Sequence, residues 1–466
     1  MYVAAARPDL TAETLGPSVI PGLFMLALIP PSYFFLGDLR LSPMRVLLLV
    51  TFLPLLFRLL SGAAGRLRAM DVLMMLFMAW IVVTLVYNHG LARFPYAMIT
   101  MVELFGGYLI GRVLIRSEAD FLRLFRYAFW VMVFLFPFVV VELVGMRNLL
   151  QELSQRVLPT LQQDGGKYIR LGLLRVTAGF EHPILYGLFC STTLATLFIM
   201  NRDHPFGRLF ILGFVGFMTF AALSSAPLLA LAIQLGLLAW GHITANRWKL
   251  LLGLVVTAYV TVDLLSNRTP ITILINYITF ESQTAWIRII IWEFGSAEMW
   301  RHPFFGIGLN DWLRPVWLPP SVDNFWLVIG MRHGALGLAF LILAIVAGLW
   351  SVLNAKSLSD DARQLRKGYV ITLVALFFTL TTVHVWGGTS SLVMLLLGAG
   401  HWFRDAVAEA GQPENLPPAR AGTIFASGPR ALALGGEVYS RFPRRQGRPT
   451  IAQNASSVVA AVVTKP

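Results

Sequence analysis

Charged residues are scarce in this chain. Only 13% of its 466 positions are Asp, Glu, Lys or Arg, about half the ~25% of a soluble domain, which excludes an ordinary soluble fold. Cysteine is nearly absent. Cys190, alone in an apolar run, excludes an intramolecular disulfide and any cysteine-based zinc or iron–sulfur site. No nucleotide-binding motif and no convincing internal repeat occur, and no cleavable signal is recognisable. The apolar run after Pro21 is too long for a signal h-region and lacks a small-residue cleavage site, so it is expected to stay as a first span. Acidic residues are outnumbered, giving a formal charge of +13. In so apolar a chain the surplus reads as loop arginines that set topology, not as a nucleic-acid footprint.

What is abundant is apolar sequence: 57% of residues are hydrophobic, and runs of near-spanning length recur. This predicts an all-α, polytopic integral membrane protein, because lipid cannot satisfy free backbone groups. About twelve spans are expected, near 19–36, 44–60, 72–88, 96–114, 127–145, 183–200, 209–224, 227–243, 250–266, 328–352, 369–387 and 389–404. Pro30-Pro31 should kink or break the first.

Loop charges orient the spans. Arg58, Arg66 and Arg68, then Arg116, Arg123 and Arg126, Arg202 and Arg208, Arg247 and Lys249, and Lys356 to Lys367 follow every second span, whereas alternate short loops carry only Arg40 and Arg93. Both termini are therefore expected in the cytoplasm, and two long loops, about 146–182 and 267–327, outside it. Long translocated loops are largely exempt from the charge bias. Their arginines read either as ligands for an anion or as side chains snorkelling to lipid phosphate. Residues 1–404 form the membrane domain. Residues 405–466, rich in Pro, Gly, Ala and Arg, read as a disordered cytoplasmic tail.

The chemistry-bearing residues gather in the two loops. Arg170 and Arg175 precede a Gly-containing turn, after which Glu181-His182-Pro183 opens a helix; Glu181 there is equally a dipole-compensating residue. No His, Asp and Glu set around His182 has metal-ligand spacing. The second loop begins with an amphipathic stretch, about 284–300. Trp286, Ile290, Ile291 and Phe294 are expected on lipid and Arg288, Glu293 and Glu298 away from it, and a plain interfacial helix is the competing reading. In Arg301-His302-Pro303 and the Gly306-x-Gly308 that follows, Pro and Gly force turns and admit close backbone approach to a ligand. Ser321-Val322-Asp323-Asn324 then starts a helix carrying Arg332. Asp323 is either its N-cap or a functional carboxylate.

These blocks resemble the O-antigen ligase and polymerase (Wzy/WaaL-type) family of bacterial envelope polysaccharide glycosyltransferases. The resemblance rests on RVTAGFEHPILYG at 175–187, LSSAPLLAL at 223–231, RIIIWEFGSAEMWRHPFFGIGLNDW at 288–312 and DNFWLVIGMRHGALGL at 323–338. It covers about 170–340; elsewhere only hydropathy agrees. Asp323 stands where the ligases usually carry His, and LSSAPLLAL lacks an Arg that often follows its Ser. Both departures favour polymerase over ligase. The resemblance implies a polyprenyl-pyrophosphate-linked oligosaccharide as donor, a lipid-linked repeat unit or polysaccharide as acceptor, no cofactor and no metal. It also implies an active site on the periplasmic side of the inner membrane, among membrane lipids and alongside a chain-length regulator.

Such a transfer needs cations on the departing pyrophosphate and a group to orient or deprotonate the acceptor hydroxyl. Arg175 and Arg288 are expected in the first role and Asp323 in the second, with Glu181 as the reserve carboxylate. Arg170, Glu181, His182, Arg301, His302, Asn324 and Arg332 are expected to bind substrate. The alternatives are a ligase acting on lipid A core or another acceptor, a secondary transporter with Glu103, Glu142 and Asp263 as coupling groups, and a lipid-linked oligosaccharide flippase.

Overall fold

The computed structural model describes residues 18–404 apart from Asp38, 161–168, 266–281 and Ser357, and of 282–285 the backbone alone. The expected tail at 405–466 lies outside the described residues. The described residues are all-helical apart from short hairpins, and eight helical segments among them are long and apolar enough to cross a membrane, consistent with a multi-pass membrane protein.

The first expected span is broken. Helix α1 (Ile20–Ala27) is followed by Pro30 and Pro31 and a short hairpin, β1 (Phe34–Leu36) with β2 (Leu39–Leu41). Helices α2 (Pro43–Leu60), α3 (Ala69–His89) and α4 (Phe94–Leu114) follow at the expected places, and α5 (Glu118–Gly145) begins nine residues before the expected 127. A capping box opens α5: the Ser117 hydroxyl accepts from the Asp120 amide, and the Asp120 carboxylate accepts from the Ser117 amide, both at 3.1 Å.

After α6 (Leu149–Gln155) and a two-residue hairpin, β3 (Ile169–Arg170) with β4 (Leu173–Leu174), the expected 183–200 span is split. It consists of α7 (Pro183–Ser191) and α8 (Leu194–Met200). The break exposes backbone groups inside the bundle, and buried Gln234 satisfies them. Its amide nitrogen donates to the Ser191 carbonyl at 2.7 Å and its oxygen accepts from the Ala195 amide at 3.1 Å. Helices α9 (Pro205–Phe220), α10 (Ser225–Ile243), α11 (Trp248–Leu265), α12 (Ser282–Arg301), α13 (Phe325–Leu353), α14 (Asp360–Thr379) and α15 (Gly387–Ala399) complete the order. Helix α14 begins nine residues before the expected 369, because its first turns, Asp360 to Lys367, are helical but polar and invisible to hydropathy.

Helices α4 and α15 cross most closely. Gly107 and Gly111, one turn apart, leave room for the α15 backbone: a Cβ on either would come within 2.2 Å of the Ser391 or Leu395 carbonyl. Small residues at this spacing let helices associate where no hydrophobic drive operates between them.

Below this crossing lies a buried polar cluster. Asp71 at the start of α3 accepts from the Tyr108 hydroxyl at 2.5 Å and from Arg112 Nε at 3.0 Å, and His401 stands 3.8 Å away. Arg112 also donates to the carbonyls of Ala64 and Arg66, so the α2–α3 turn is tied to α4.

The carboxylates considered for ion coupling have other occupations. Glu103 pairs with Arg45 at 2.6 Å. Buried Glu142 accepts from the Thr177 amide and hydroxyl and from the Ala178 amide at 2.8–3.0 Å, holding the turn before His182. Asp263 is exposed on α11, which buries no residue. Glu142→Ala leaves two buried amides without an acceptor. It should lower stability by about 3 kcal/mol, read as an earlier melting transition of the purified protein. An unshifted transition would remove Glu142 from this role.

Candidate functional site

The loop between α12 and α13 is built on a fault in α13. Gly334 has φ 75° and ψ 168°, outside helical geometry. The bend leaves the carbonyls of Met331, Arg332 and His333 without their usual helical donors. The amides of Ile307 and Gly308 fill the first two at 2.8 and 3.0 Å, and Trp80 Nε1 the third at 3.0 Å. Only glycine fits the fault, since a Cβ on Gly334 would lie 2.1 Å from the Phe304 carbonyl. Gly306 and Gly308 do permit close backbone approach, as expected, but what they approach is α13 and His89 of α3. His89 Nε2 accepts from the Leu309 amide at 2.7 Å.

Helix α12 lies against α13 with a face other than the expected one. Ile291 is buried with Ile307, Trp312, Leu318, Leu327 and Met331 in a small second core, against which Ile290 and Phe294 also pack. Lipid is thus not the partner of Ile290, Ile291 and Phe294. Trp286, Trp292 and Trp300 are exposed instead, Trp286 stacked on Trp317 at 5.2 Å. Glu298, expected away from lipid, is buried and pairs with Arg301 at 2.7 Å and His302 at 3.6 Å.

Between this loop, the starts of α7 and α13 and the α14–α15 connection opens a cavity of about 670 Å³. Of the expected site residues it gathers Arg175, His182, Asp323 and Arg332, and it adds Asp311 and His384. The remaining ones are placed otherwise. Arg170 donates to the Leu223 carbonyl at 3.1 Å and does not line the cavity. Arg301 and His302 are occupied with Glu298. Asn324 is the N-cap of α13, accepting from the Leu327 amide at 3.0 Å, so the capping role considered for Asp323 belongs to its neighbour. Glu181 turns to a second, smaller cavity of about 50 Å³, where it accepts from Trp386 Nε1 at 2.7 Å and approaches Arg40. The cap of α7 is His182, whose Nδ1 accepts from the Ile184 amide.

The electrostatics of the cavity are uneven. Arg332 is exposed to it with no ion pair among the described residues. Arg175 also lines it, its Nε held at 3.3 Å by the Ala222 carbonyl in the α9–α10 turn. Asp323 reaches the cavity surface, yet the protein around it raises its carboxyl above the usual range. Arg288 opposes that rise without cancelling it. Desolvation thus outweighs the neighbouring guanidinium of Arg288.

Arg288 does not line the cavity. Burial lowers its own pKa, Asp323 works against that, and its Nε makes no hydrogen bond among the described residues. Burial, with Arg175 second, pushes His182 down to about 4, and burial, with Arg332 second, pushes His384 down to about 3. Both imidazoles are neutral at pH 7. His384 Nδ1 lacks a hydrogen bond among the described residues, and its ring lies between Phe325 and Trp386. Nothing in the sequence distinguished His384 beyond its place beside a tryptophan where two apolar runs meet.

The arrangement offers two arginines for an anion, one carboxylate shifted toward neutral pH, and two neutral imidazoles for hydroxyl groups. Among the described residues no three His, Cys, Asp or Glu side chains cluster closely enough to hold a metal ion. No family model matches the chain, and no curated protein is found similar to it.

Proposed function

We propose that this chain is a polysaccharide polymerase of the bacterial inner membrane. It has about twelve spans, cytoplasmic termini and the cavity on the periplasmic face. It moves a glycan from polyprenyl pyrophosphate onto a lipid-linked repeat unit. The acceptor hydroxyl oxygen bonds to the anomeric carbon as the bond from that carbon to the pyrophosphate oxygen breaks. The electron pair leaves on the pyrophosphate and the hydroxyl proton passes to Asp323.

The observation that carries this reading is the pairing, in one cavity, of the unpaired Arg332 with a carboxylate of raised pKa. A base is most effective when its pKa approaches the working pH, and a guanidinium suits two phosphate oxygens at once. Arg175 supplies the second cation. His182 and His384 face the sugar hydroxyls, and the exposed tryptophans of α12 sit at the membrane surface where a lipid-linked donor is held. Arg288 acts through Asp323 and is a positioning residue. Ion coupling has less support, since Glu103 and Glu142 are engaged in fixed structural bonds.

Surface polysaccharide from a deletion strain tests the reading on a gel. Loss of long chains with single repeats retained supports polymerase, loss of all glycan from the acceptor supports ligase, and an unchanged ladder overturns both. Arg332→Ala and Arg175→Ala should each reduce transfer by about a hundred-fold or more with protein levels kept. Arg175→Lys should recover only part of it, because the planar fork is lost. Full recovery with Lys would reduce the clamp to a general positive surface.

A further inference from the structure

A second large cavity lies at the other end of the bundle. It has a volume of about 640 Å³ and is bordered by the end of α8, the start of α9, the end of α10 and the start of α14. Sixteen residues of chain separate Lys367, which lines it, from Val383 of the first cavity. Twelve of those steps, Lys367 to Thr379, are helical and rise roughly 18 Å at 1.5 Å per residue. The two cavities therefore lie toward opposite ends of α14.

The walls divide by chemistry. One side is apolar, with Phe198, Leu212 and Leu238; the other carries Arg202, Arg208, Lys367 and His242, and no carboxylate lines the space. Arg202 is already paired with Asp361. Arg208 and Lys367 form no ion pair among the described residues: Arg208 lies over the Phe198 ring at 5.2 Å and Lys367 over Trp248 at 5.9 Å. Arg208 Nε is buried and makes no hydrogen bond among the described residues, which is costly unless something else accepts from it.

We propose that this cavity binds an anionic phospholipid, with the phosphate between Arg208 and Lys367 and the first acyl carbons against Phe198, Leu212 and Leu238. A soluble anion would satisfy the cations but leave the apolar wall wet. A neutral lipid would cover that wall but leave the cations uncompensated. Basic pockets between helices at a membrane surface bind lipid headgroups for these reasons. The inference does not depend on the transfer chemistry at the other cavity.

The test uses purified full-length protein, exchanged into detergent and titrated separately with phosphatidylglycerol, phosphatidylcholine and inorganic phosphate. Native mass spectrometry reads occupancy, and thermal melting gives an independent readout. Phosphatidylglycerol should bind saturably and raise the melting temperature, the other two should not. Arg208→Gln and Lys367→Gln should each weaken phosphatidylglycerol binding roughly five-fold, whereas Lys367→Arg and the distant Arg147→Gln should leave it unchanged. Leu238→Trp fills the apolar side without altering charge and should also weaken it, which keeps the test decisive should a charge-removing variant fail to fold. Equal phosphatidylglycerol affinity in the wild type and in Leu238→Trp, or in the Arg208→Gln, Lys367→Gln double variant, overturns the proposal. So does inorganic phosphate or phosphatidylcholine binding as tightly as phosphatidylglycerol.

Discussion

Asp323→Asn is expected to cut polymer formation by at least about a hundred-fold at unchanged protein level. The substitution keeps the shape of the side chain and removes its charge. Asn324 already caps α13, so no helix start is lost with Asp323. The pH dependence has a defined sign. The carboxyl titrates above the ordinary carboxylate range because the surrounding protein disfavours its charge, and the deprotonated form is the base. Transfer should therefore fall as pH drops through that raised value, and the Asn variant should lack this limb. Arg288→Ala removes the cation that opposes the rise, so it should move the limb to still higher pH.

Stability should respond in the other direction. A carboxyl whose folded pKa exceeds its unfolded one binds more protons when folded, so its contribution to stability declines as pH rises through the folded pKa. Ionised Asp323 is thus a net cost at pH 7, and Asp323→Asn should melt no earlier than wild type. Near-normal polymer from the Asn variant would overturn the assignment of Asp323 as the base.

The largest loss of stability should come from Asp71→Ala or Arg112→Ala. Both side chains are essentially inaccessible, at 0% and 1% exposure. Removing one leaves the other charge buried without its partner, which typically costs about 3–5 kcal/mol. Little folded protein should accumulate, as read by size-exclusion fluorescence of a tagged chain. An apolar pair, Asp71→Leu with Arg112→Met, should recover part of the loss, because it leaves no lone buried charge. Recovery stops short of complete: the Tyr108 hydroxyl and the Arg68 amide, which donates to Asp71 at 2.9 Å, lose their acceptor. Full accumulation of either single variant would show that the cluster does not hold the helices.

Hydropathy and loop punctuation made the helices legible because each long apolar run has to close its own backbone hydrogen bonds. The break at Pro30-Pro31 was visible for the same reason. What was not legible depends on tertiary partners. The fault between α7 and α8 lies in an unbroken apolar run and exists because Gln234, on another helix, can satisfy it. Periodicity gave α12 an apolar face but not its partner, so Ile290 and Ile291 were expected on lipid although α13 covers them. At the site, Arg175, His182, Asp323 and Arg332 could be named from local context, and the structure brings them to one cavity. Arg301 and His302 share that context, but Glu298 occupies them.

The fault at Gly334 divides the long loop into two mechanically different halves. Residues 307 and 308 serve as a replacement turn for α13, because their amides hold two of the carbonyls that the bend sets free. Lifting them would strand backbone acceptors against an apolar bundle, at several kcal/mol each. Among the described residues the hydrogen bonds from Asn310 to Ser321 run within the loop itself, as from Trp312 Nε1 to the Pro320 carbonyl and from Arg314 to Asp311 and Leu318. Among the described residues this arm is fastened to the bundle by apolar contact, through Trp312 and Leu318 in the second core and the stacking of Trp317 on Trp286. Widening the cavity on this side therefore disturbs side-chain packing and leaves its hydrogen-bonded floor in place. The arm is a hinged flap on a fixed sill.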